Sequence, residues 1–110
     1  MGYVYLLLEV DKNGSERHKI GITKNDIGKR IKQLQTGNSN QISLLNSYNT
    51  SNYKLLEKIL HKKFSSKKTE TNNEWFTLDN DEVNNFIKIC GKIDEDLKFL
   101  KENNYFFSKK

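Results

Sequence analysis

Seven side chains in the first 61 residues carry groups from which a reactive site could be built: Tyr3, Tyr5, His18, Lys19, Arg30, Glu57 and His61. Phenol, imidazole, cation and carboxylate are the equipment of general acid–base chemistry and of charge stabilisation at an anion. The spacing brings some of them together. At a two-residue period Tyr3, Tyr5, Leu7 and Glu9 share one face of a strand, with Val4, Leu6 and Leu8 on the other. Glu57 and His61 are four apart and so neighbours on one helical face. The chain has no Gly-rich phosphate loop, nucleophile elbow, Cys-x-x-Cys pair or His-Glu-x-x-His helix, which excludes the commonest cofactor, nucleophile and zinc enzymes. Each residue also has a plain structural reading. Strand tyrosines are usually amphipathic packing residues. Arg30 could be a solvated helix cation, Glu57 a weak surface partner of Lys54, Lys58 or His61, and His61 a packing imidazole.

The elements that must position these groups follow from periodicity and punctuation. Gly2 to Val10 reads as a strand that stops at Asp11-Lys12-Asn13-Gly14, a hairpin signal. A partner strand is expected over Arg17 to Thr23. Ile27, Ile31 and Leu34 then recur at helical spacing, and Gly37-Asn38 stops the helix. Ile42 to Tyr48 is a third strand. Thr50 or Ser51 is expected to cap a second helix with the stripe Leu55, Leu56, Ile59, Leu60 and Phe64. Ser65 to Asn73 reads as an exposed polar loop, and Glu74 to Leu78 as a short edge strand that packs Trp75 and Phe76. Asp79 with Glu82 resembles a capping box opening a third helix, with Val83, Phe86, Ile87, Cys90, Ile93, Leu97 and Leu100 on one face and a kink expected at Gly91. The order gives an α+β fold: a small antiparallel or mixed sheet of three to four strands flanked by helices. Residues 1–90 are expected to form the domain, with a C-terminal helix and tail over 79–110 packed on it.

Length and composition set the frame. One hundred and ten residues suit a single core. The net charge of +5 favours a polyanionic partner, although a lysine-rich soluble surface would look the same. All but Arg17 and Arg30 of the 19 basic residues are lysine. Cys90 is the one cysteine, so no intrachain disulfide forms, and its apolar surroundings mark it as a buried, inert thiol. The apolar run after Gly2 is too short to span a membrane and lacks a signal-peptide pattern, so no membrane partner and a reducing, cytoplasmic setting are expected.

Tyr3-Val4-Tyr5-Leu6, Lys19-Ile20-Gly21, Leu34-Gln35-Thr36-Gly37, Leu56-Glu57 running to His61 and Phe64, and Glu74-Trp75-Phe76 stand in that order. Together they resemble the GIY-YIG nuclease superfamily, and more closely a compact phage- and virus-associated subfamily often described as a DNA-binding domain. The resemblance covers about residues 2 to 78 and continues into the following helix. It implies a site for phosphodiester hydrolysis. Tyr5 matches the tyrosine that positions or deprotonates the attacking water. Arg30 matches the arginine that holds the phosphate, where a planar five-donor cation suits oxyanion charge. Glu57 matches the sole protein ligand of a divalent metal, Mg²⁺ or Mn²⁺, whose other ligands are waters and substrate phosphate. Lys19 stands where most members carry a second tyrosine, as is usual in the compact subfamily, and could stabilise a Tyr5 phenolate or donate a proton. His61 could orient a water or contact phosphate. The asparagine found near the last strand in the family has only Asn72 or Asn73 as counterparts.

Two functions from different classes follow. One is a Mg²⁺-dependent endonuclease on DNA; the other is a non-cleaving DNA-binding module on the same scaffold. Tyr5, Arg30 and Glu57 favour the first and Lys19 the second. Lys32, Lys67 and Lys68 are the expected backbone contacts to DNA. A lone domain of this size should cut weakly or borrow contacts from a second copy in a homodimer. A third reading makes Tyr105-Phe106-Phe107 a protein-binding surface.

Overall fold

The near-continuous apolar run of Gly2–Val10 forms the central strand of the sheet, where both faces are covered. A computed structural model of the chain describes residues 1–69 and 75–102. In it β1 (Gly2–Val10) pairs antiparallel with β2 (Glu16–Thr23) on one side and β3 (Gln41–Thr50) on the other, and β4 (Trp75–Phe76) pairs antiparallel with β2. The sheet order is β3-β1-β2-β4. Gly14, at φ +82, makes the β1–β2 turn, while Asp11 accepts the Asn13 and Ser15 amides. The register shifts between Leu6 and Leu7 opposite β3, and both Leu44 and Leu45 stand exposed beside that bulge.

The two faces of the sheet are covered unequally. Val4, Leu6 and Ile20 pack with Tyr53, Leu56, Leu60 and Phe64 of α2 (Tyr53–Lys63) and its C-cap, with Phe76 and Leu78, and with Phe86 and Cys90 of α4 (Phe86–Glu102). The opposite face holds a smaller apolar cluster, Tyr5, Leu7 and Ile42, beneath α1 (Ile27–Thr36), which docks Ile31 and Leu34 and buries no residue fully. Asp26 caps α1 by accepting the Gly28 amide. At its far end Gln35 accepts the Ile42 amide at 2.9 Å and donates to the Asn40 carbonyl at 2.8 Å, so one amide side chain pins the helix to β3.

Four expectations change. The second helix is capped by Asn52 rather than Thr50 or Ser51, without a side-chain cap bond, because Thr50 ends β3 and its hydroxyl accepts the Asn52 amide. The third helix does open on the Asp79–Glu82 capping box, but it breaks at Asn85 into α3 (Asn80–Asn84) and α4, not at Gly91. The Asn85 amide side chain donates to the Asp81 carbonyl at 2.8 Å beside its own backbone N–H at 3.0 Å, so that carbonyl carries two donors at the break. Phe86, Cys90, Asp94 and Leu97 face inward while Ile87 turns to solvent. Part of the expected loop is ordered: Ser65–Lys67 is a 3-10 turn and Lys68 bridges to Phe76. Asn72, Asn73, Glu74 and Tyr105 to Phe107 lie outside the described residues.

Burial pushes the Cys90 thiol up to about 12, which suits an inert packing group. Asp94 is the buried charge in the apolar seam. It accepts from the Tyr48 hydroxyl at 3.1 Å, Thr50 at 3.0 Å and Asn52 at 2.9 Å, with Lys98 at 3.6 Å. Burial raises its pKa, but these donors and the ammonium outweigh it and hold the carboxyl below the usual aspartate value. A folded pKa below the unfolded one adds stability above the unfolded value, and this is lost as pH falls through the folded one. Asp94→Ala, which strands three donors, should cost about 3 kcal/mol in denaturant unfolding and blunt the acid dependence of stability. A loss below about 1 kcal/mol would show that the cluster contributes little to holding α4.

Candidate functional site

Two pairs of the expected site residues approach the Ile20–Gly21 peptide, each from its own side of β2. On the thinly covered face Tyr5 pairs with Gly21 across the strands and lays its ring over it: a Cβ at Gly21 would sit 2.5 Å from the Tyr5 hydroxyl oxygen. Only glycine permits that approach. The Tyr5 side chain is buried to 1 % exposure, and its hydroxyl accepts the Nε–H of Arg30 on α1 at 3.4 Å, a long bond. Arg30 has no ion pair among the described residues, so its terminal guanidinium nitrogens have no protein partner there.

On the other face α2 brings Glu57 and His61. Leu56 and Leu60 dock the helix in the core, which sets Glu57 and His61 on its flank, each side chain 22 % exposed. His61 Nε2 lies 2.8 Å from the Ile20 carbonyl oxygen. A carbonyl only accepts, so Nε2 carries the proton, and in the neutral ring Nδ1 is left as an acceptor for a water. Its ring edge packs against Phe76 at 5.2 Å. Glu57 stands 3.8 Å from His61 Nε2, so its carboxylate is no farther from the Ile20 oxygen than the two distances together. The bond from His61 thus ties α2, the helix that carries Glu57, to the backbone of β2.

Lys19 lies on the Tyr5 face, opposite Leu7, and is itself largely buried. Its ammonium is 5.4 Å from the centre of the Trp75 ring, where Arg17 also stacks at 4.1 Å. Arg17 is ion-paired with the buried Glu9, which also accepts from Asn38. Burial raises the Glu9 pKa, yet Arg17 and Asn38 lower it further, so the net shift is downward. His18 points to the other face, where its Nδ1 accepts the Leu78 amide at 3.3 Å and burial depresses its pKa. It packs rather than reacts.

The three lysines expected at DNA stand apart from this cluster. Lys67 is bound to Glu82 at 3.1 Å and Asp79 at 3.5 Å; the Glu82 bond foremost raises its pKa. Its charge is thus already matched by two carboxylates. Lys68 and Lys32 are exposed. An open cleft of about 570 Å³ beside Arg30 is lined instead by Ile22, Thr23, Asn25, Asp26, Lys29 and Gln33. Sequence reasoning passed over Lys29 and Gln33, although their i, i+4 spacing, offset from the Ile27-Ile31-Leu34 stripe, marks one flank of α1.

The donor set can be weighed against a metal. Among the described residues no three His, Cys, Asp or Glu side chains gather, so no closed structural metal site exists there. A single, partly exposed carboxylate such as Glu57 fits a cation that keeps most of its waters, which is the habit of Mg²⁺. No helix among the described residues is long and apolar enough to cross a membrane.

A family model described as the T5orf172 domain matches residues 2–91, which spans β1 into α4 and contains every residue of this cluster. No curated protein and no solved structure matches the chain.

Gly21→Ala should drive Tyr5 off the strand and part it from Arg30. The strain should lower stability by about 1–3 kcal/mol, read by thermal melting, with a changed near-ultraviolet tyrosine signal. An alanine tolerated with both unchanged would mean that the ring does not rest on this glycine.

Proposed function

The chain belongs to the T5orf172 domain family, a phage-associated family consistent with nuclease or DNA-binding work, and from that premise we propose that it is a metal-dependent endonuclease hydrolysing DNA phosphodiester bonds at a GIY-YIG-type site. The observation that supports this reading is that Tyr5 with Arg30, and His61 with Glu57 beside it, approach the same Ile20–Gly21 peptide of β2.

Phosphodiester hydrolysis needs a positioned water, charge stabilisation on the phosphate and help for the leaving oxygen. The Tyr5 oxygen accepts from Arg30, which leaves its own O–H to hold or exchange a proton with a water. Arg30, with its Nε engaged, keeps two terminal nitrogens to fork a phosphate. Glu57 would hold Mg²⁺ or Mn²⁺, which when bound supplies positive charge at the phosphate and the leaving oxygen. His61 ties the helix that carries Glu57 to β2 through the Ile20 carbonyl. The net charge of +5 suits the polyanionic substrate.

The non-cleaving DNA-binding module is favoured by one observation. Lys19 replaces the second tyrosine of the superfamily pattern, and its ammonium leans on Trp75. Wild-type protein that binds DNA but cuts no duplex, branched or single-stranded substrate with any divalent metal would establish that reading instead.

For the enzyme, Glu57→Gln keeps shape and removes charge, and should abolish Mg²⁺- or Mn²⁺-dependent cleavage with the melting temperature unchanged. Full-rate cleavage by this variant would sink the metal-ligand role. Arg30→Lys keeps charge but loses the fork, and should slow turnover by about 100-fold, the scale of removing one transition-state donor. A rate near wild type would make Arg30 a solvated helix cation.

A further inference from the structure

The cleft on the N-terminal flank of α1 belongs to none of the residues assigned above except Arg30, which forms its wall. Its volume of about 570 Å³ is within the range of sites that enclose a small organic ligand. Its lining is polar and of mixed character. Lys29 and Arg30 are cations, Asn25 and Gln33 carry amides that both donate and accept, and Thr23 adds a hydroxyl. Asp26 is the one acid, and its Oδ1 already accepts the Gly28 amide.

We propose that this cleft seats the nucleotide next to the scissile phosphate, with Lys29 taking the neighbouring phosphate and Asn25 and Gln33 meeting its base. The inference rests on the nuclease or DNA-binding reading and names the substrate contacts of that same site. Three features carry it. Arg30 is shared, so a strand whose phosphate lies on the guanidinium must continue past the cleft or into it. Lys29, the residue before Arg30 on the helix, lines the cleft, whereas the equally exposed Lys32, one turn on, lines no part of it. The Asp26 carboxylate at the rim makes a run of several phosphates unfavourable there, and two amides beside it suit the donor and acceptor edge of a base. A surface built only to attract polyanion would carry further cations in place of Asn25, Asp26 and Gln33.

The test uses the full chain and a fluorescein-labelled duplex DNA in EDTA, so that binding is read without cleavage. Lys29→Ala should weaken affinity about 3- to 10-fold near 0.1 M salt and flatten the log-log salt slope by about 0.9, the signature of one lost phosphate contact. Lys88→Ala, an exposed lysine on α4 across the sheet, serves as the charge-matched control. The double variant Asn25→Ala/Gln33→Ala should leave the slope unchanged and reduce discrimination among duplexes differing at single base pairs. Inorganic phosphate at matched ionic strength should displace the duplex no better than chloride, because a free anion satisfies only the Lys29 end. If Lys29→Ala does no more than Lys88→Ala, the strand bypasses the cleft and the proposal falls while DNA binding stands. If the salt slope responds but discrimination survives the double variant, the base contacts are overturned. A wild type that binds no DNA overturns the nucleic-acid reading and the cleft assignment together.

Discussion

The close approach of the Tyr5 ring to Gly21 is the contact on which the arrangement of this molecule depends. It places a phenol hydroxyl directly on the backbone of β2, where no other residue type would admit it. That position brings the hydroxyl within reach of Arg30, and so ties α1 to the sheet by a polar contact as well as by Ile31 and Leu34. On the reverse of the same peptide His61 uses the Ile20 carbonyl to fix α2, and Glu57 with it. Two helices on opposite faces are thus registered against one peptide unit. An error of one residue in the β1–β2 pairing would send Tyr5 to the other face and dismantle both connections.

Polar contacts elsewhere serve the same end. Gln35 pins the end of α1 to β3, and the Asp94 cluster joins α4 to the end of β3 and the start of α2. Gln35 is half-buried and Asp94 fully so, and the polar groups of each are met by hydrogen bonds, which is what makes them directional rather than merely costly. Apolar packing alone would let α2 and α4 slide along the sheet. The buried carboxylate restricts α4 to the phase in which Asp94 meets Tyr48, Thr50 and Asn52.

Much of the fold was legible in the residues. The Asp11–Gly14 turn, the Ile27-Ile31-Leu34 stripe and the Asp79–Glu82 capping box each encode local geometry, and each element formed where its chemistry required. The break at Asn85 was not legible, because the hydrophobic period runs from Val83 through Phe86 to Cys90 across it. Asp94 escaped notice for a related reason: an acid inside a helix looks solvated until the partners from β3 and Asn52 are known. Of the cluster, Tyr5, Arg30, Glu57 and His61 were picked out by their order along the chain, but nothing in that order revealed that Nε2 of His61 is committed to backbone. Lys67 shows the opposite failing. Two lysines in a polar stretch suggested a free basic loop, whereas Asp79 and Glu82, twelve and fifteen residues on, match its charge.

The unequal covering of the sheet has a dynamic consequence. Native-state opening is graded by how much apolar surface a segment must expose, and α1 must expose little. β1, buried on both faces, is the segment whose amide protons should exchange only on global unfolding. Tyr5 therefore stands on a deeply buried strand and Arg30 on a helix that has little apolar surface to expose on opening. A substrate as stiff as a nucleic-acid duplex would be met by one fixed jaw and one compliant one, with the range of travel limited by the Gln35 tether at the far end of the helix.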